Sequence, residues 1–353
     1  MSKIGIYTDV HCCYTSSILP IHKKGSKYTT RLQMVVDTFR WMYDEFEKHG
    51  VDFIVNCGDL FDAVNVRSEE VSAMAEAMSY SRGINEFHIL GNHEIYDNNR
   101  QFYTSALLSN YENIEIIDQP MRKDNLNISF LPYMSADAIP DALQGLDNRI
   151  LFSHVDVRGY QINESHRLES GADPDILSSK FDIVINGHLH SPAVMKGNIY
   201  SVGATTSLSF SDNSDYAPSI HILDTDTLSI TSIPNPYAIR FVKQAVSNIH
   251  QISAVLTKYA GIPVVYRFTL PGDLKHQAEQ LLEGAANIIA YRLMCTSVVP
   301  DELPNDTVVE RVAVNHVSDV VNQFDSFLDS GISLKYDKNK YHTILLQMQE
   351  EKA

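Results

Sequence analysis

The chain has 353 residues, 44% hydrophobic and 20% charged, an ordinary globular composition whose length suits two domains or one large domain with appendages. Its formal net charge of −16 excludes a surface that attracts nucleic acid everywhere, because non-specific DNA affinity comes mainly from neutralising phosphates, so any DNA contact has to be local, metal-assisted or shared with a partner. No apolar run approaches the roughly 18 residues of a spanning helix, the first residues read directly as a strand, and Cys12, Cys13, Cys57 and Cys295 form no C-x-x-C pair, so a cytoplasmic chain without membrane contact or a disulfide framework is expected.

In chain order, a β-rich run at Lys3 to Thr8 leads into Asp9-Val10-His11, where alternate residues can aim two ligand atoms into a crevice beyond a sheet edge. Apolar periodicity predicts a helix over Thr30 to His49, then a strand at Val51 to Cys57 running into Gly58-Asp59-Leu60-Phe61-Asp62. The glycine eases the turn that sets a carboxylate at the same kind of edge. A helix around Ser68 to Tyr80 and a strand at Glu86 to Leu90 precede Gly91-Asn92-His93-Glu94, an amide oxygen beside an imidazole. Further strands are expected at Ile114 to Ile117, Leu126 to Leu131, Arg149 to Phe152, Asp182 to Asn186 and Ile199 to Val202. Two of them carry Phe152-Ser153-His154 and Gly187-His188-Leu189-His190. This alternation predicts a layered α/β domain over 1–236.

Ile233-Pro234-Asn235-Pro236 can continue neither a helix nor a central strand and marks the first boundary. A strand at Val264 to Leu270 and a helix near Leu274 to Leu282 predict a small α+β domain over 237–303, closed by Pro300-Asp301-Glu302-Leu303-Pro304. A helical tail over 304–353 follows. Val317, Val320, Val321, Phe324, Phe327 and Leu328 form one apolar stripe there, suited either to packing on the chain's own domain or to docking on another chain.

Any one of these clusters is common in loops and cores; five in order at strand ends are not. Asp9 and Asp59 bring two negative charges against the four positive charges of two divalent ions, while the Asn and His ligands are neutral, which leaves room for a bridging hydroxide and a phosphate. Imidazole and carboxylate without thiolate suit Mn(II), Fe or Zn(II) better than Ca(II), and manganese is expected for activity. Two such ions roughly 3.5–4 Å apart activate water and stabilise both attacking and leaving oxygens, making phosphoester hydrolysis the natural reaction. His93 is the candidate general acid, and Asp62 can accept a hydrogen bond from it and fix its tautomer.

D-x-H, G-D-x-x-D, G-N-H-[DE], a lone His and G-H-x-H in this order, from Asp9 to His190, resemble the calcineurin-like metallophosphoesterase superfamily. The fold this implies is a layered β-sandwich flanked by helices. Val51-Asp52-Phe53-Ile54 ahead of Gly58, together with the long C-terminal extension, is similar to SbcD-type DNA-repair nuclease subunits, phage recombination endonuclease subunits among them. The resemblance implies that Asp9, His11 and His190 bind one metal, that Asn92, His154 and His188 bind the other, that Asp59 bridges them and that His93 is catalytic rather than a ligand. It also implies manganese-dependent 3′-to-5′ exonuclease action on duplex DNA, endonuclease action on single strands or hairpins, and control by an SbcC-type coiled-coil ATPase. In that scheme the domain after Pro236 caps the DNA side of the site and the tail docks on the ATPase.

Family members pair through helices near the active face, and Leu32, Met34, Val35, Val36, Phe39, Trp41, Met42 and Phe46 make the first helix apolar on more than one face, so a homodimer is expected. Two departures from the family pattern are Glu94 in place of Asp and Cys12-Cys13 in place of Leu-Gly. Lys23, Lys24 and Lys27, close in sequence to His11, are read either as a local phosphate-contacting loop or as an ordinary solvated cluster. Competing functions are another phosphoesterase of the same fold acting on a small phosphodiester or phosphoprotein, and a non-catalytic scaffold for the ATPase.

Overall fold

The computed structural model of the chain describes residues 2–14, 25–96, 102–163, 166–212 and 215–296. These lie in one compact unit, Met1–Val298; the stripe from Val317 to Leu328, like Lys23 and Lys24, is outside the described residues.

The chain begins β1 (Lys3–Tyr7), α1 (Thr30–His49), β2 (Phe53–Asn56), α2 (Ser68–Met78), β3 (Asn85–Ile89) and β4 (Ile114–Ile117). It continues through β5 (Met121–Lys123), β6 (Ile128–Leu131), α3 (Ile139–Gln144), β7 (Ile150–Ser153), the short pair β8 (Gln161–Asn163) and β9 (His166–Arg167), α4 (Pro174–Lys180) and β10 (Ile183–Asn186). Then come β11 (Ala193–Met195), β12 (Ile199–Ser201), β13 (Ser219–Asp224) and β14 (Ile230–Pro234). The last described elements are β15 (Arg240–Ala245), α5 (Ile249–Lys258), β16 (Val264–Pro271), α6 (Lys275–Glu283) and β17 (Ile288–Thr296).

Two six-stranded sheets form the layered sandwich expected from the sequence. One has the order β14-β13-β1-β2-β3-β4, with β1 to β4 parallel and β13 and β14 antiparallel at its edge. The other has the order β11-β12-β10-β7-β6-β5, parallel in its four inner strands. Strands such as β2, β7 and β10 are buried at every position because layers cover both faces, which is why they read as unbroken apolar runs. Ile4, Ile6, Val55, Phe130, Phe152 and Ile185 fill the space between the sheets. Leu143, Leu151, Leu177 and Val184 join α3 and α4 to the outer face of the second sheet.

α1 starts at Thr29, whose side chain accepts the Leu32 N–H, and stops at Gly50 in the left-handed conformation. Phe46 lies against Gly5 of β1, where any Cβ would come within 2.9 Å of its ring. The apolar residues of α1 pack largely within the chain. Leu32, Met34, Val35, Val36, Phe39, Met42 and Phe46 are buried, and Trp41 packs against the same cluster. Its other members include Ile54 and Met74 on one side and Ile239, Phe241 and Val265 on the other.

Pro234 ends the edge strand β14, a position that tolerates its missing N–H. The following junction is tied down: the Asn235 side chain donates to Thr38 Oγ1 at 3.0 Å and to the Thr205 carbonyl at 2.9 Å. Beyond it, β15, β16 and β17 form a parallel sheet with α5 and α6 as crossovers, around Val242, Ile252, Tyr266, Phe268 and Leu282. The sequence reading located β16 and α6 but not β15, α5 or β17. No helix among the described residues is long and apolar enough to cross a membrane.

Candidate metal centre

Five parallel strands end at one rim. Asp9 and His11 follow β1, Asp59 follows β2, Asn92 and His93 follow β3, His154 follows β7, and His188 and His190 follow β10. The first three strands belong to one sheet and the last two to the other, so the residues converge only where the sheets meet.

The backbone there is bent rather than extended. Asp9, His11, Asp59 and His188 have φ of 50°, 46°, 52° and 69°, a conformation costly for side chains other than glycine. Asp9 and His11 therefore sit on a kinked turn, not on the alternating strand end expected from the sequence. Hydrogen bonds hold the turn in place, from Asp9 N to Gly58 O at 2.9 Å and from His11 N to Asp59 O at 3.0 Å. The motif glycines make room for ligands. Gly58 has φ of 104° and a Cβ there would lie 2.2 Å from the His154 ring; at Gly91 it would lie 2.0 Å from Asp59 Oδ1.

Asp9, His11 and His190 bring donor atoms within 4.8 Å of one another, and so do Asp59, His154 and His188. A third such group, His11, Asp59 and His93, lies between them. His11 Nε2 and His190 Nε2 are 3.0 Å apart. His154 Nε2 lies 3.2 Å from Asp59 Oδ2 and 3.3 Å from Asn92 Oδ1. Asp9 Oδ2 takes the Thr8 hydroxyl at 2.6 Å and the His188 N–H at 3.0 Å, whereas Asp9 Oδ1 is buried without a hydrogen-bond partner. Facing imidazole nitrogens beside an unpaired buried carboxylate oxygen fit a divalent cation, which would satisfy all of them at once.

Electrostatics point the same way. Burial works to raise the Asp9 carboxyl pKa, but His11, His154 and His190 hold it below its ordinary value. Asp59 is likewise lowered by His154, His11 and His93 in spite of burial. His11, although buried, is pushed up to about 10 by Asp62, Asp9 and Asp59, and His154 to about 9 by Asp59 and Asp9.

His93 stands at the mouth of the cluster with its side chain 40% exposed, and its main-chain N–H donates to Asp59 Oδ1 at 3.0 Å. Its Nδ1 lies 2.7 Å from the main-chain carbonyl of Asp62. The Asp62 carboxylate, expected to hold His93, is 3.8 Å from it and instead 3.1 Å from His11 Nδ1, out of line for a hydrogen bond. A backbone oxygen therefore orients His93, because the turn after Asp59 swings the Asp62 side chain toward the first strand end. Glu94 is fully buried; its longer side chain accepts the Gly91 N–H at 3.2 Å and reaches the Ser105 hydroxyl.

Lys27 is exposed and paired with Glu76 at 2.7 Å. Cys12 is buried among core residues, its thiol pKa pushed up by burial, and all four cysteines are free. Sequence reasoning missed Asp156, 3.0 Å from His188 Nε2, and Asp212, 2.9 Å from His190 Nδ1. It also missed Arg31, whose buried guanidinium donates to the carbonyls of Val10, His11 and Ser207 behind the turn. Asp156 follows His154 by two residues and was legible as a nearby carboxylate; Asp212 and Arg31 belong to no motif.

A family model described as calcineurin-like phosphoesterase matches residues 2–192. Protein 078R of Invertebrate iridescent virus 3 is 24% identical over 181 residues, which cover 46% of this chain and 50% of that protein. Protein 244L of Invertebrate iridescent virus 6 is 27% identical over 139 residues, covering 36% and 48%. Both carry phosphoesterase as a provisional name, and the chain spans about half the length of these curated relatives. Among solved structures, TT1561 of Thermus thermophilus covers 66% of this chain and 98% of its own, at 9% identity and a TM-score of 0.40.

Proposed function

Because the chain belongs to the calcineurin-like phosphoesterase family, we propose that it is a metal-dependent phosphodiester hydrolase acting on DNA, the nuclease subunit of a recombination or repair assembly. The observation that carries hydrolysis is the convergence of Asp9, His11, Asp59, Asn92, His154, His188 and His190 at one rim with His93 left at its mouth.

These residues would hold two divalent ions, Mn(II) in our reading, and ions bound there would supply an activated water and charge stabilisation for the phosphate. The chain's own contribution is positional. Thr8 and the His188 N–H fix Asp9, the Asp62 carbonyl and the Asp59 carboxylate fix His93, and His93 Nε2 is the atom from which a proton reaches the leaving oxygen. DNA as substrate is supported by the SbcD-like motif spacing and by the β15–β17 segment, which lies beyond the residues the family model matches and packs on α1. Control by an SbcC-type ATPase through the stripe from Val317 to Leu328, a DNA-capping role for 237–303, a homodimer and the three-part division at 236 and 303 belong to the same proposal.

The test is digestion of end-labelled linear duplex DNA by the purified chain with Mn(II), beside His93→Asn and a generic phosphodiester reporter. DNA cleavage that the variant lacks is the expected result. Reporter turnover with intact DNA would favour a small-substrate phosphoesterase or a nuclease silent without its ATPase, and failure on both would leave the scaffold reading.

A further inference from the structure

Each ligand imidazole turns one nitrogen toward the shared space, and the question is what holds the other. For His154 it is a backbone oxygen, Cys57 O at 2.6 Å from Nδ1. For His188 and His190 it is a carboxylate from outside the five motifs, and the two rings are gripped by opposite nitrogens. Asp212 Oδ1 faces His190 Nδ1 at 2.9 Å, so Nε2 points at His11. Asp156 Oδ1 faces His188 Nε2 at 3.0 Å, so Nδ1 is the nitrogen available to a metal.

Both carboxylates are themselves fixed. Asp212, largely buried, receives the N–H groups of Leu208 and Ser209 on its second oxygen at 2.6 and 2.9 Å. Asp156 is pinned through its backbone: its carbonyl accepts the Ala172 N–H at 2.8 Å, and a Cβ on the adjacent Gly171 would lie 2.4 Å from that oxygen. A neutral imidazole has two tautomers, and the wrong one aims a proton at the metal. A carboxylate on the outer nitrogen selects the right one and makes the inner nitrogen a better donor.

We propose that Asp212 and Asp156 are positioning residues that impose opposite tautomers on His190 and His188, and that they act on different ions. Asp212 serves the ion at Asp9, His11 and His190; Asp156 serves the ion at Asp59, Asn92, His154 and His188.

Two measurements test this without relying on turnover. In the wild-type chain loaded with diamagnetic Zn(II) and labelled with 15N-histidine, NMR should place the proton on Nδ1 of His190 and on Nε2 of His188; the same tautomer at both positions overturns the proposal. Calorimetric titration of the metal-free chain with Mn(II) should show Asp212→Asn and Asp156→Asn each weakening one of two sites by roughly 10–100-fold while sparing the other. In a His190→Ala background, Asp212→Asn should add no further loss, whereas Asp156→Asn should keep its full effect. Unchanged affinity in the single variants would show that the carboxylates do not act on the metals, and a full additional loss from Asp212→Asn on His190→Ala would show that Asp212 acts on the fold in general; either overturns the proposal.

Discussion

His93 carries the most exposed imidazole of the cluster, and its side chain is held by a main-chain oxygen rather than by another titratable group. On the role proposed for it, its replacement removes the proton donor and leaves the Asp62 carbonyl in place. His93→Asn should lower hydrolysis by about two to four orders of magnitude while two metals remain bound, checked by turnover and metal analysis on one sample. Loss of a metal in that variant would make His93 a ligand, as its closeness to His11 and Asp59 also allows. A second residue effect concerns acid stability. His221 on β13 is buried, shares a hydrogen bond with Ser232 at 2.9 Å, and has its pKa pushed down to about 4, mainly by desolvation, with the Val202 backbone opposing. Below its ordinary value of 6.5 the unfolded chain takes up a proton that the fold refuses, so stability falls as pH drops from about 6.5 toward 4. The loss should be on the order of 2–3 kcal/mol, and His221→Gln should flatten that slope in denaturant titrations across the window. The eight residues that meet at the candidate centre were legible from strand-end motifs. Asp212 and Arg31 were not, since a residue that holds a ligand from behind needs only proximity in space, which no spacing records.

At the level of elements, the motif glycines matter more for what they exclude than for flexibility. Gly91→Ala places a methyl group on the Asp59 carboxylate, so Asp59 or β3 has to shift. Such overpacking costs about 1–3 kcal/mol, and Mn(II) stoichiometry after dialysis should fall below two per chain. Element boundaries were readable wherever burial on both faces left apolar runs, as in β2, β7 and β10, and α1 matched its predicted span end to end. They were unreadable where polar residues are buried with partners that arrive from elsewhere. In β13, His221 meets Ser232 of β14, and in β15, Arg240 bonds the Tyr216 carbonyl. The left-handed turn at Asp9 and His11 was equally hidden, because Asp and His do not announce positive φ; the hydrogen bonds their main-chain N–H groups donate to the Gly58 and Asp59 carbonyls hold it.

Across the whole molecule, charge bears on the proposed binding of DNA. The chain carries a net −16, and Asp9, Asp59, Asp62, Asp156 and Asp212 crowd the site. An anionic backbone should thus be repelled until cations are in place. Chelation should weaken binding of a labelled duplex to His93→Asn by at least about tenfold relative to the Mn(II)-loaded variant, read by fluorescence anisotropy; equal affinity would place the DNA away from the metals. Changing Phe324 and Phe327 to Asp should cost ATPase association without altering reporter hydrolysis, measured by co-purification and turnover. The scatter of the ligands along the chain has a further consequence for the cell that makes it. Asp9 leaves the ribosome early and His190 late, and at roughly 5–20 residues per second that gap lasts on the order of ten seconds or more. A truncated product that stops before β10 lacks His188 and His190, so such fragments are released without two of the candidate metal ligands.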